Sequence, residues 1–281
     1  MAGPVVYGLF MVRRALVLLT VVFWSGSARA AKLESSTEKA WNAYIAFTEA
    51  RIDSELGSPD GFLLMQFLDP SERTECEREV RAGDVCVLER HTLDDEGNKI
   101  AVPYGMIHHW YGTVYVPGVS VDRVIELVQA YDKAANYYTE VEDSQLLSRE
   151  GDQFDIFLRL RRTKVITVHY ATVHRVDYHR RDDAHISSRS VATRIREIAK
   201  PGEPNESEKP EGDDRGFLWR LNSYWRFQET EEGTFVECES VSLSRDVPAA
   251  VRWLVKNFLD SVPKESLEST LFQIRDRLLI R

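Results

Sequence analysis

The chain has 281 residues, with 45 acidic and 36 basic side chains and a formal net charge of −9. Apolar residues make up 43% and charged residues 29%, an ordinary soluble composition that excludes a multi-span membrane protein and a wholly disordered chain. The acidic balance also argues against nucleic acid as a partner, because phosphate binding needs a basic surface.

The first thirty residues hold Arg13, Arg14 and Arg29 and no acid. After the arginine pair comes an apolar run from Ala15 to Trp24. Ser25 to Ser27 breaks it, and Ala28-Arg29-Ala30 has small-x-small spacing. This is the order of a secretory signal peptide cleaved near Ala30, and the run is short for a transmembrane helix. Met11 stands just ahead of the arginines, so it competes with Met1 as the start. Losing thirty residues and their three arginines would leave 251 residues and a net charge of −12. The expected setting is periplasmic or otherwise outside the cytoplasm, with no integral membrane domain once the signal is removed.

Residues 35–56 read as a helix. Ser35 and Glu38 have capping-box spacing, and Trp41, Tyr44, Ile45, Thr48 and Ile52 share a face. Segment 57–83, with Pro59, Gly61, Pro70 and many charges, reads as irregular. Residues 31–83 are therefore taken as an N-terminal arm, and 84–281 as the main domain. An oxidising compartment makes a local disulfide between Cys76 and Cys86 plausible, leaving Cys238 as a buried strand thiol.

From Val85 the period changes to that of strands. Val85 to Leu88 and Met106 to Val116 alternate, with turn material around Gly97 between them. Ser120 is a good helix N-cap, and Val121, Val124, Ile125 and Val128 give an amphipathic helix over 121–134. Strands follow at about 141–148, 153–162, 164–177, 184–198, 216–229 and 234–245. The stretch 200–215 holds three prolines and no large apolar residue, and reads as a mobile loop. Two helices, 248–260 and 263–280, each open near a proline and close the chain. Consecutive strands with short turns imply an antiparallel sheet needing a cover on one face, which the last helix supplies.

Gly216 to Phe227 reads GFLWRLNSYWRF, and Phe235 to Pro248 reads FVECESVSLSRDVP, followed by the helix near Trp253. Gly112 to Ser120 reads GTVYVPGVS, with Asp122 and Tyr131-Asp132 beyond it. Together these resemble the START-like superfamily (SRPBCC, or helix-grip), most closely its secreted bacterial members, over roughly residues 104–281. The resemblance implies an α+β helix-grip fold: a curved antiparallel sheet wrapped around a long C-terminal helix, here with an additional N-terminal helix. It also implies a cavity between sheet and helix that binds a hydrophobic small molecule, such as a lipid, quinone or polyketide-like compound. Fold alone does not give function, and the superfamily also contains cyclase- and hydrolase-type enzymes.

Strand alternation selects the side chains that would enter such a cavity. In 217–227 the more apolar face presents Phe217, Trp219, Leu221, Ser223, Trp225 and Phe227. In 166–176 the inner set is Ile166, Val168, Tyr170, Thr172, His174 and Val176. In 236–244, Val236, Cys238 and the serines face in, leaving Glu237 and Glu239 in solvent. The expected ligand-binding residues are thus Tyr170, His174, Arg189, Trp219, Ser223, Trp225 and Phe227. The rival reading is a core filled by the same aromatics. Arg189, like Arg159, Arg161, Arg162 and Arg194, needs an acidic partner if buried, with Glu197, Glu237 and Glu239 as candidates. His108 and His109 point to opposite faces, one of them outward, which disfavours a shared metal. No catalytic motif stands out, and no cofactor or metal is expected; an enzyme of this fold would have His174 as its candidate base. A third possibility is an envelope interaction protein with an exposed patch at Trp41 and Tyr44.

Overall fold

The computed structural model describes residues 32–163, 166–246 and 249–280, with the side chains of 249–260 outside that description. The expected signal segment and the side chain of Trp253 lie outside the described residues.

Helix α1 (Ser35–Leu56) buries Trp41, Tyr44, Ile45, Thr48 and Ile52, the stripe its spacing predicts. The expected capping box is not made. Glu34 is the N-cap and makes no side-chain cap bond. A 3-10 turn, Leu64–Phe67, leads to α2 (Pro70–Ala82), where the sequence reads as irregular. The pattern is hidden because α2 buries only Cys76 and Val80. Other features form it: Pro70 in the first turn, the Arg73–Glu77 pair one turn apart at 2.8 Å, and Gly83 in the left-handed region (φ 97°). Cys76 and Cys86 are disulfide-bonded with their Cα atoms 5.2 Å apart, and Cys238 is a free, buried thiol.

Among the described residues, nine strands build one antiparallel sheet: β1 (Cys86–Glu89), β2 (Gly105–Pro117), β3 (Val141–Glu150), β4 (Gln153–Thr163), β5 (Thr167–Arg180), β6 (His185–Ala199), β7 (Ser207–Glu208), β8 (Arg220–Thr230) and β9 (Gly233–Arg245). Their order is β1-β2-β9-β8-β6-β5-β4-β3, with β7 paired to β6. The sequential hairpins β3 to β6 and β8 to β9 are those the turn signals predict. The join between β2 and β9 brings the two ends of the domain together. A bulge between β5 and β6 sets Val173 against Arg194 but His174 against Ala192. Thr193 is thus an extra residue, and side-chain parity along β6 switches there. Ser188 and Ser190 share a face with Ile195 and Glu197, not with Arg194.

Helix α3 (Val121–Val128) starts at Ser120, whose hydroxyl accepts from the Arg123 amide, and is followed by a 3-10 turn, Tyr131–Asn136. The expected single helix over 121–134 is therefore shorter and ends in a tighter turn. At the C-terminus the correction runs the other way. One helix, α4 (Ala249–Leu279), replaces the two expected, with Pro263 inside it. Proline removes one intrahelical hydrogen bond but does not by itself force a helix to end. Leu267, Leu271 and Ile274 on α4 are buried.

The architecture is α+β helix-grip, with an extra layer. One sheet face, carrying Val114, Val116, Phe227, Val236 and Cys238, packs on α4 and α3. The other face, carrying Tyr224, Val241 and Leu243, packs on α1. Trp41 and Tyr44 are buried there at 4% and 5% exposure, so they form no exposed patch. The 200–215 stretch is pinned: Lys209 Nζ and the Arg215 amide donate to Glu197 at 2.6 and 2.9 Å, and Arg159 donates to Glu206.

Gly112 fixes how closely α4 can approach the sheet. A Cβ there would lie 2.6 Å from Leu271 Cδ1 and 3.1 Å from two Leu267 atoms. Gly112→Val is expected to lift α4 and to destabilise the fold by about 1–3 kcal/mol, read from urea midpoints.

Candidate functional site

The face under α4 is built by alternation on five neighbouring strands. β2 contributes His108, Trp110, Gly112 and Val114, and β9 contributes Val236, Cys238, Ser240 and Ser242. β8 contributes Leu221, Ser223, Trp225 and Phe227, and β6 contributes Ile186, Ser188, Ser190 and Ala192. β5 adds Tyr170, Thr172 and His174. Trp110, Ser190, Leu221, Ser223, Trp225 and Ser240 are only half-buried although they lie well inside the sheet. The face is therefore packed at the Val114–Leu271 end and less fully covered around Trp225.

Of the seven side chains expected to bind ligand, five lie on this face and two do not. Tyr170 and His174 are buried, Ser223 and Trp225 are half-buried, and Phe227 is fully packed in the core beneath α3 and α4. The rings of Trp225 and Phe227 are stacked, with centroids 6.1 Å apart. Trp219 precedes β8, so strand alternation does not govern it. It packs with Trp41 on the opposite face, and its indole donates to Asp214 at 3.3 Å. Arg189 is also on that opposite face, exposed and donating to Glu49 of α1 at 2.7 Å. Its partner is an arm residue rather than Glu197, Glu237 or Glu239.

His174 is a neutral imidazole. Burial alone pushes its pKa down to about 4. The Thr172 hydroxyl donates to the Leu158 carbonyl at 3.0 Å, so its oxygen accepts from His174 Nε2 at 3.0 Å. His108 and His109 do point to opposite faces, but both are buried. His108 Nε2 lies 3.0 Å from Ser244 Oγ on the α4 side.

The opposite face holds a buried polar network, and here the structure overturns an expectation. Glu237 and Glu239 are not in solvent; they are 1% and 3% exposed beneath the arm. Glu237 accepts from the amides of Leu64 and Met65 at 2.7 and 3.1 Å and from Tyr111 Oη at 2.5 Å. Glu239 Oε1 accepts from His109 Nε2 at 2.6 Å and from Arg51. The Thr92 amide donates to Tyr44 Oη, and Tyr44 donates on to His109 Nδ1, each at 2.8 Å. Arg226, 3% exposed, donates to the Phe62 carbonyl at 3.0 Å and to Glu55 at 2.5 Å. The network ties the arm and the 92 loop to one another and to β2, β8 and β9, and ties β2 to β9. Three clues to this were present in the sequence: an apolar stripe on 35–56 needing a surface, two acids on β9, and the arginine at the centre of the Trp–Arg–Phe run.

Burial raises Glu239, but the His109 hydrogen bond and the charges of Arg51 and Arg226 overcome it and hold the carboxyl down at about 2. Burial pushes Glu237 up to about 7, against the opposing pull of Arg226, Tyr111 and the two amides. Burial likewise pushes His109 below its ordinary value. The signs differ. Glu239 contributes stability that is present above the ordinary value of 4.5 and lost as pH falls toward about 2. Glu237 is most favourable below 4.5, and its contribution is lost as pH rises through about 7. Between about pH 5 and pH 8 the urea midpoint should fall less in Glu237→Gln than in the wild type. Arg226→Met leaves Glu55 with only the more exposed Arg51 as cation and is expected to cost about 3 kcal/mol in the same assay.

No protein-family model and no curated protein matches the sequence. Among solved structures, the chain is similar to a STAR-related lipid transfer protein from Xanthomonas axonopodis, at 17% identity and a TM-score of 0.48, over 69% of this chain and 93% of that one. It is similar to human STARD10 at 13% identity and a TM-score of 0.44, over 78% and 83% of the two chains. It is also similar to the Zhui aromatase/cyclase from a Streptomyces species, at 13% identity and a TM-score of 0.43, over 62% and 94%.

Proposed function

We propose that this chain is an exported START-like protein that binds a hydrophobic small molecule, of lipid, quinone or polyketide type, between the sheet and α4. One observation carries the reading. Trp110, Leu221, Ser223 and Trp225 sit on interior strands, on the face that α4 covers, and yet remain half-buried. A filled core would close over them, since interiors pack to the density of organic crystals. An apolar concavity with sparse polar groups is the usual form of a small-molecule site. Apolar burial, at about 25 cal/mol per Å² before the costs of association, would drive uptake.

Export is supported by the arginine pair, the apolar run and the Ala28-Arg29-Ala30 spacing. The Cys76–Cys86 disulfide fits an oxidising compartment. On this reading residues 1–30 are removed, 31–83 form the arm and 84–281 the ligand-binding domain. The mature N-terminus should then be Ala31 by intact-mass measurement of exported protein, and a retained leader overturns the export reading.

Binding is tested with an environment-sensitive apolar dye, read by energy transfer from tryptophan. The wild type is expected to saturate, and Trp225→Ala to weaken the dye about tenfold, as for a buried aromatic anchor. Absence of saturable uptake overturns the proposal.

A further inference from the structure

The α4-facing side of the sheet carries a row of hydroxyls that nothing in the protein uses. Ser190 lies directly opposite Ser223, and Ser223 directly opposite Ser240, so the three cross β6, β8 and β9 in one line. All three are half-buried. In the next line, Ser242 stands opposite Leu221 on β8 and His108 on β2. Ser242 is only 7% exposed. Among the described residues none of these four hydroxyls has a hydrogen-bond partner, in contrast to Ser244, which meets His108. A ligand oxygen that reaches these serines would gain hydrogen bonds that the protein itself does not supply.

The walls around the row are apolar or aromatic: Leu221 and Trp225 on β8, and Trp110 on β2 beside Ser240. Among the described residues, the strand positions facing α4 on β2 and β9, at 170–178 of β5, 186–192 of β6 and 221–227 of β8 include no Asp, Glu, Lys or Arg; Arg180, at the end of β5, is exposed and pairs with Asp122. Lys264 of α4 stands at the border, its Nζ 6.0 Å from the Trp110 ring centroid. His174, further along β5, is buried and neutral. A fatty-acid or phospholipid anion would meet hydroxyls along the row and the Lys264 ammonium only beyond the Trp110 ring, so an anion set among the serines is costly to desolvate. A plain hydrocarbon would leave the serines unsatisfied.

Resting on the cavity reading above, we infer that the ligand is an uncharged, oxygen-bearing ring compound, whose carbonyl or hydroxyl groups meet Ser190, Ser223, Ser240 and Ser242 while its rings lie against Trp225. Serine hydroxyls both donate and accept, so carbonyl and hydroxyl oxygens are equally served. The row thus selects for oxygen count and neutrality rather than for chain length.

The experiment compares three probes on the full chain by tryptophan quenching: menadione, which is neutral with two carbonyls; naphthalene, of the same shape without oxygens; and palmitate, an anionic chain. Menadione is expected to bind at least about tenfold more tightly than naphthalene or palmitate, as about one to two net hydrogen bonds would give. The double variant Ser223→Ala/Ser240→Ala should erase that preference and leave naphthalene binding unchanged. Ser242→Ala, a smaller change at a second position, should lower it partway. Equal binding of menadione and naphthalene, tighter binding of palmitate, or a preference that survives the serine changes overturns the inference while leaving the cavity in place. Failure of all three probes to bind overturns the cavity reading itself.

Discussion

A β-strand presents its side chains alternately to two sides, and β9 is used fully on both. Its even-numbered residues, Val236 to Ser244, face α4, while Glu237, Glu239, Val241 and Leu243 face the arm. Carboxylates cannot be left in a dry interface without donors, so the second set dictates what must cover it. The arm supplies the amides of Leu64 and Met65 and the guanidinium of Arg51. The sheet supplies His109, Tyr111 and Arg226. With that face sealed by the arm, the opposite face is the one available to accept a guest.

The two faces differ in kind. Toward the arm, the charged groups are buried and paired with one another, although Glu239 Oε2 and the hydroxyls of Thr113 and Tyr115 find no partner there among the described residues. Toward α4 the polar groups are hydroxyls in an apolar wall, half-open and unmatched. Matched buried polar groups fix a register and a docking geometry, because any other alignment strands a charge. Unmatched hydroxyls fix nothing internally and remain available to a partner from outside. The same principle, that a desolvated polar atom wants a hydrogen bond, thus accounts for rigidity on one side and for receptivity on the other.

Much of the fold was legible in the sequence. Period-two patterning located the long strands from β2 to β9, and the stripe Trp41 to Ile52 located α1. Inward facing was read correctly for Tyr170, His174, Ser223, Trp225 and Phe227, because alternation holds within a regular strand. It failed at Trp219, which lies before β8 begins, and at Arg189, whose partner is on an element 140 residues away. Glu237 and Glu239 were misread for a related reason. Charge on a strand normally marks the solvent side, and nothing local says that another segment will lie over it. Helix α2 was missed because it buries only two residues, and α4 was divided because a proline that commonly opens a helix here sits inside one.

The pairing of β2 with β9 joins residues 105–117 to 233–245, across more than a hundred residues of intervening chain. A contact of that sequence separation is entropically late to form. The arm is made first on the ribosome, but its buried acceptors, Glu237 and Glu239, are made near the end. Helix α1 therefore has no surface to dock on until almost the whole chain exists. In the interval its Trp41 and Tyr44 are uncovered, which makes the nascent arm the segment most in need of a holdase, and the arm's docking the event that marks a finished molecule.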